Sequence, residues 1–267
     1  MLFIGFLLGG LIGYLAYRAG ALTAGGAWAA GITGGLIFGL GGLPWAVLLL
    51  AFFLASSALS RVFSARKASL AEKFAKGSNR DAGQVLANGG LGAGLVLLHA
   101  LLPFADWIWV AYAGAIAAVN ADTWATELGV LSTEPPRLIT NGRVVEKGSS
   151  GGVSLGGYLA AFAGSGLIAA LAWLLTPWMP RATIIGGAVL GGLGGSTLDS
   201  VLGATVQAIY YCPACEKETE RHPAHGCGTE TVLVRGWEWL DNDLVNFLSS
   251  LFGAGIAIGV WLLLLYL

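Results

Sequence analysis

The sequence predicts an all-α bundle of helices that crosses a membrane several times and gathers its chemistry at one face. Three observations predict it. The chain is 56% hydrophobic and only 11% charged, whereas a soluble domain carries roughly 25% charged residues. Its apolar residues fall into long runs, and its mean hydropathy is +0.74. Its Lys and Arg residues are sorted to one side of those runs.

The runs are Leu2 to Tyr17, Gly25 to Leu40, Trp45 to Leu59, Val85 to Leu102, Phe104 to Val119, Val153 to Leu175, Thr183 to Val206 and Leu244 to Leu267. Each approaches or exceeds the ~20 residues that cross a bilayer, which gives about eight spans, with roughly seven to nine as the range. The first run has no basic residues before it and no small-residue cleavage site after it, so it is expected to be a span rather than a cleaved signal. The 42 glycines suit helices that pack closely in lipid.

With residues 61–82 placed in the cytoplasm, 14 Lys and Arg minus Arg181 fall on the inner side. Cytoplasmic loops carry excess Lys and Arg, so this split orients a multi-pass protein of the inner or plasma membrane. The chain then reads as one integral membrane domain, residues 1–267, with cytoplasmic loops at 61–82, 132–152 and 207–242. Outer loops are short, so chemistry on soluble molecules is expected inside. The net charge of −1 is uninformative, and nucleic acid is not expected as a partner.

Charged groups inside a membrane are costly and usually functional. Asp81, Gln84 and Asn88 share one helical face, as do Asn120, Thr123 and Glu127, and Gly192, Ser196, Asp199 and Gly203. Asn242, Asn246 and Ser249 form a fourth stripe. Asp122 lies nearly opposite Glu127 on a regular helix. Either that helix breaks, or the two carboxylates have different roles. Asn and Ser also serve as hydrogen-bond glue between membrane helices. Converging carboxylates, amides and hydroxyls form a hard-oxygen site suited to Mg²⁺.

Two inner segments combine Gly, Ser and basic residues. Lys147-Gly148-Ser149-Ser150-Gly151-Gly152 runs into the sixth span with Arg143 nearby, and Lys76-Gly77-Ser78-Asn79-Arg80-Asp81 runs into the fourth. Consecutive amides leading into a helix N-terminus cradle anions. Neither segment is a Walker A motif, because no Gly-Lys-Ser/Thr follows at the required spacing. The third loop holds Cys212, Cys215, His222, His225 and Cys227. Cys-x₂-Cys followed by His-x-Cys supplies four soft ligands for a structural Zn²⁺, here Cys212, Cys215, His225 and Cys227, with His222 as a spare.

Several stretches taken together resemble a known family. They are Asn79-Arg80-Asp81 through Asn88, Asn120-Ala-Asp122 through Glu127, Arg137 through the Gly-Ser-Ser-Gly-Gly loop, Leu198-Asp199-Ser200, the Cys/His loop, and Asn242-Asp243 through Asn246. The series resembles the integral membrane family of plant phytyl-phosphate kinase and its prokaryotic and animal homologues. That resemblance implies phosphoryl transfer to a prenyl monophosphate. Distant similarity to CTP-using dolichol kinase and phosphatidate cytidylyltransferase implies CTP or another NTP as donor.

The chemistry agrees with that implication. A phosphate monoester is largely a dianion at neutral pH, so the enzyme needs metal, positive charge and alignment rather than a strong base. The expectation is a kinase with Mg²⁺ on Asp122, Asp199 and Asp81, and with Asn88, Asn120 and Glu127 orienting ligands. Lys76, Ser78, Asn79, Arg80, Arg143, Lys147 and the loop Gly148 to Gly152 would hold phosphates. The prenyl tail would lie between the spans with its phosphate at the inner interface, and a homodimer is left open. The alternatives are a transporter or lipid flippase, disfavoured by the nearly bare outer side, and a non-catalytic assembly factor that binds a partner through its zinc loop.

Overall fold

The structure is a computed structural model and describes residues 1–63 and 79–266. Among these residues eight helices follow one another: α1 (Leu2–Arg18), α2 (Ala24–Leu36, continued by a π-helical turn Ile37–Gly41), α3 (Leu43–Val62), α4 (Ala82–Leu101), α5 (Asp106–Gly129), α6 (Leu155–Leu175), α7 (Arg181–Thr205) and α8 (Asn242–Leu265). They coincide closely with the eight apolar runs. Six of them, α2 with its π turn, α3, α4, α6, α7 and α8, are long and apolar enough to cross a membrane. The expected count of eight is therefore not reached on length and composition. With 17 residues, α1 is short. In α5, Asp106, Asp122 and Glu127 interrupt a helix rich in Ala.

The position of α5 explains its composition. It is the central helix, with a buried run from Ile108 to Ala121, and α3, α4, α6, α7 and α8 all pack on it. A helix enclosed by protein needs small residues for close approach rather than Leu and Ile facing lipid. Gly114 of α5, Gly191 of α7 and Gly253 of α8 meet at one crossing. A Cβ on Gly114 would lie 2.7 Å from the Gly253 carbonyl oxygen, and one on Gly191 would lie 2.6 Å from it. Nearer the other end of the bundle, buried polar groups are paired. The Tyr112 hydroxyl donates to the Trp45 carbonyl (2.7 Å) and Trp109 Nε1 donates to Thr176 Oγ1 (3.1 Å). Such pairing avoids the several kcal/mol that an unsatisfied polar group costs in hydrocarbon.

Helix caps mark one end of the bundle as polar. The helices that begin there are capped by side chains: Thr23 for α2, Asp81 for α4, Ser154 for α6 and Asp241 for α8. Those that begin at the opposite end, α1, α3, α5 and α7, have no side-chain cap. Two small sheets lie on the capped end. One pairs β1 (Arg137–Leu138) with β2 (Gly152–Val153), antiparallel. The other has the order β4-β3-β5, from β3 (Ile209–Cys212), β4 (Lys217–Thr219) and β5 (Val232–Arg235).

Candidate functional site

A cavity of about 480 Å³ opens at the capped end. Its wall is assembled from the end of α3, the start of α4, the last turns of α5, the loop before α6, the last third of α7, residues 220–221 and the start of α8. Of the expected site residues, Arg80, Asn88, Asp122, Glu127, Lys147, Gly148, Ser149, Ser150, Gly151, Gly152 and Asp199 line it. Lys76 and Ser78 lie outside the described residues.

Asp122 and Glu127 of α5 face different ways, because the helix runs unbroken from Asp106 to Gly129. Five residues apart, they point about 140° away from each other. Glu127 is buried and turns toward α3, where Ser60 Oγ donates to its Oε1 at 2.8 Å. It is also the negative charge that Arg80 feels. Asp122 turns toward α7 and lies within electrostatic reach of Asp199, as does Glu220. Ser249 Oγ donates to Asp199 Oδ2 at 3.4 Å. The charged groups bearing on Asp199 thus share its sign, an arrangement that suits a divalent cation held by one or two carboxylates with phosphate completing the shell. Among the described residues these carboxylates do not close into a three-ligand set; the group that does is the Cys/His cluster.

Arg80 is anchored before α4. Its N–H donates to the Ala21 carbonyl and its carbonyl accepts from Thr23 N–H, each at 3.0 Å. The guanidinium carbon stands 5.4 Å from the Phe52 ring centroid and 5.8 Å from that of Phe53. Burial lowers its pKa to about 10, with Glu127 opposing the shift, so it stays cationic at neutral pH. Its Nη1 is shut off from solvent and has no hydrogen-bond partner among the described residues.

Five of the expected residues make other contacts or stand off the cavity wall. Asp81 does not line the cavity: its side chain accepts from Gln84 N–H (2.9 Å), while its own N–H donates to Gln84 Oε1 (3.1 Å). This is a reciprocal capping box for α4. Asn120 is fully buried between α5 and α6 and donates to the Gly164 carbonyl (2.7 Å), so it joins helices rather than facing ligand. Arg143 is exposed on the hairpin, and neither it nor Asn79 lines the cavity. Lys147 does line it, but its Nζ donates to the carbonyls of Val130 (3.2 Å) and Ser132 (2.5 Å) just past the C-terminus of α5. There a cation complements the helix dipole and braces the loop.

The glycine loop turns tightly because Gly148 and Gly151 adopt φ of +79° and +80°. Gly151 also presses on α7, where a Cβ would lie 2.5 Å from the Ala204 backbone nitrogen. Replacing Gly151 by Val therefore adds both a left-handed strain and a clash. Cavity-dependent ligand binding should fall by about tenfold or more while the protein remains helical, as judged by binding titration beside circular dichroism.

Residues 220 and 221 were not singled out from the sequence, and no local motif marks them. Buried Gln207 places them: its Oε1 accepts from Ser150 Oγ (3.0 Å) and its Nε2 donates to Glu220 Oε1 (2.9 Å). That bridge ties the glycine loop to the Cys/His module.

In that module, Cys212 ends β3 and Cys215 follows in the turn to β4. With His225 and Cys227, their ligand atoms all lie within 4.8 Å of one another. Cys212 Sγ and Cys227 Sγ are 3.6 Å apart, and His225 Nδ1 lies 3.3 Å from Cys227 Sγ. Metal–sulfur bonds of about 2.3 Å in a tetrahedron need sulfurs roughly 3.8 Å apart, so the set fits a metal ion. The Thr229 hydroxyl, then His225, hold the Cys227 thiol down at about 6, which favours the thiolate a metal takes. His222 is not in the set; it stacks on Tyr210 with ring centroids 4.4 Å apart.

The model of the integral membrane protein family DUF92 matches residues 7–254. Protein PGR of Arabidopsis thaliana is 34% identical, with 92% of this chain and 91% of that protein covered. An uncharacterized membrane protein of Methanocaldococcus jannaschii is 34% identical over 76% of this chain and 82% of its own length. Another from a Synechocystis strain is 28% identical over 83% and 78% respectively. No solved structure matches. The motif series read from the sequence and the match across nearly the whole chain agree: the chain belongs to the DUF92 family of integral membrane proteins.

Proposed function

We propose that the protein is a kinase that transfers a phosphoryl group from a nucleoside triphosphate, CTP by family resemblance, to a prenyl monophosphate such as phytyl or geranylgeranyl phosphate. The observation that carries this reading is the single cavity combining a Gly/Ser loop, the neighbouring carboxylates Asp122 and Asp199, and a buried arginine. All eight helices cross the membrane, with α5 shielded by its neighbours. The cavity faces the cytoplasm, because Arg181 is the only Lys or Arg assigned to the opposite side.

In the reaction an oxygen of the prenyl phosphate attacks the γ-phosphorus of the nucleotide. A new P–O bond forms, and the bond between that phosphorus and the β–γ bridging oxygen breaks. The nucleoside diphosphate leaves with the electron pair. The acceptor dianion has no proton to lose, so no general base is needed. Asp122 and Asp199 would hold Mg²⁺, which when bound neutralises phosphate charge. The glycine loop presents backbone amides to the nucleotide phosphates, with Lys147 fixing its shape. Arg80 meets the acceptor phosphate, and Glu127 keeps Arg80 in place. The Cys/His module binds Zn²⁺ structurally and holds Glu220 and Arg221 at the cavity wall. This division of labour is mainly positioning and electrostatics, as phosphoryl transfer requires.

Purified protein incubated with geranylgeranyl phosphate, Mg²⁺ and each labelled NTP in turn should yield labelled prenyl diphosphate with one nucleotide strongly preferred. Absence of diphosphate with every prenyl phosphate and every NTP would refute the kinase. Vesicles tested alongside, in which lipid phosphate crosses the membrane without product, would establish the flippase instead.

A further inference from the structure

A second cavity, of about 260 Å³, lies between α1, α2, α3 and α4. Its lining is almost wholly apolar, from Leu8 and Ile12 of α1 through Phe38 to Leu49, Leu50, Phe52 and Phe53 of α3. It shares Arg80, Gln84 and Asn88 with the polar cavity, so the two meet at those three residues. Leu8, Ile12 and Leu43 are also exposed on the outside of the bundle, so the slot opens sideways onto the hydrocarbon region.

Charge and shape both identify an occupant. Arg80 stands at the junction with its guanidinium over Phe52 and Phe53, which belong to the slot wall. Its Nη1 is closed to solvent and has no hydrogen-bond partner among the described residues. A buried donor left unmade is costly, and an anion at the slot mouth satisfies it. Small residues on α2 and α4 (Ala30, Gly34 and Gly89) leave the groove open, while Gly9 and Gly13 let α1 close on α2. Along α3 the lining runs from Leu43 to Phe53, about 15 Å of helix, which matches the extended length of roughly two to three isoprene units.

We propose that the slot between α1 and α4 holds the first two isoprene units of a single-chain lipid phosphate, with its phosphate on Arg80 at the junction and the rest of the tail running out into the bilayer. This names the seat of the acceptor and rests on the kinase reading above. Bilayer hydrocarbon is as apolar as the slot, so the slot gains little by extracting the tail. It fixes where the phosphate stands, and placement of the reacting group is worth large factors in rate.

Gly34 offers a clean plug. It lines the slot, and a Cβ there would meet nothing within 4 Å. Gly94 on α4 is equally unobstructed but lies outside the slot lining, so it provides the control. The test uses full-length protein in nanodiscs and a geranylgeranyl phosphate carrying a photoreactive diazirine near its phosphate end, without nucleotide, so that binding is read independently of turnover. Label should map to slot residues beside Arg80 such as Phe52, Phe53 or Val85. Gly34→Phe should lower labelling about tenfold while Gly94→Phe labels like the parent, and a circular dichroism spectrum and melting temperature equal to the parent's show that Gly34→Phe is folded. Geranyl phosphate should compete fully, and inorganic phosphate or two-chain phosphatidate only weakly. Label on α6 to α8, unchanged labelling in Gly34→Phe, or equal competition by phosphatidate would overturn the slot. Failure of the kinase assay with slot labelling intact would overturn the reaction and leave the lipid site standing.

Discussion

Asp199→Asn protein should fold and insert normally yet lose phosphoryl transfer by about 10²–10³-fold, the usual effect of removing one preorganised electrostatic stabiliser. The substitution keeps the side-chain size, and the Ser249 hydroxyl that donates to Asp199 Oδ2 at 3.4 Å retains an oxygen acceptor. What changes is charge. Asp199 faces Asp122 and Glu220, so neutralising it weakens cation affinity more than it disturbs packing. The Mg²⁺ concentration for half-maximal rate should rise together with the fall in kcat, and Asp122→Asn should behave alike. Asn120→Ala provides the contrast. It removes the bond to the Gly164 carbonyl between α5 and α6, so it should lower thermal stability without moving the Mg²⁺ dependence. Full activity in folded Asp199→Asn protein would remove the carboxylate pair from the mechanism.

The second large effect is expected at the Cys/His module. Metal analysis should find about one zinc ion per chain, on sulfur-rich coordination. Cys212→Ser should lose it, since Cys212 is fully buried and its Sγ lies 3.6 Å from that of Cys227. A loop with so little core depends on its metal for folding free energy. Residues 207–242 should then become sensitive to protease while the helices stay intact. Activity should fall about 10–100-fold, the scale typical of lost support around a site, because Gln207 no longer holds Glu220 against the glycine loop. His222→Ala should keep the metal, since that ring stacks on Tyr210 rather than joining the ligands. Metal-free protein with an ordered loop and full activity would contradict this account.

The parts legible in the sequence are those set by local pattern. Apolar runs located the eight helices of the described chain, seven of them to within a few residues, because an apolar helix is encoded by contiguous composition; α5 continues ten residues past its run, to Gly129. Spacing and soft-ligand chemistry picked out Cys212, Cys215, His225 and Cys227 as a set that could hold a metal, and their ligand atoms lie within 4.8 Å of one another because a short loop brings them together. Helical periodicity also showed that Asp122 and Glu127 cannot serve one ion from a regular helix. It could not say which neighbour each would meet.

That second kind of information depends on packing. Asp81 has the sequence features of a metal ligand and acts as a helix cap, because Gln84 three residues on can return its hydrogen bond. Lys147 looks like a phosphate ligand, but its ammonium reaches the end of α5, which only the fold brings beside it. The assignment of Glu220 to the wall, through Gln207, and the junction of the apolar slot with the polar cavity at Arg80 join segments far apart in the chain. The sequence by itself determined the helices, their polar ends and the Cys/His cluster, since each is a short-range property of composition and spacing. The tertiary structure alone decided which polar groups face one another and which are used up in holding the chain, since a side chain's role depends on the partner that packing puts within hydrogen-bonding distance.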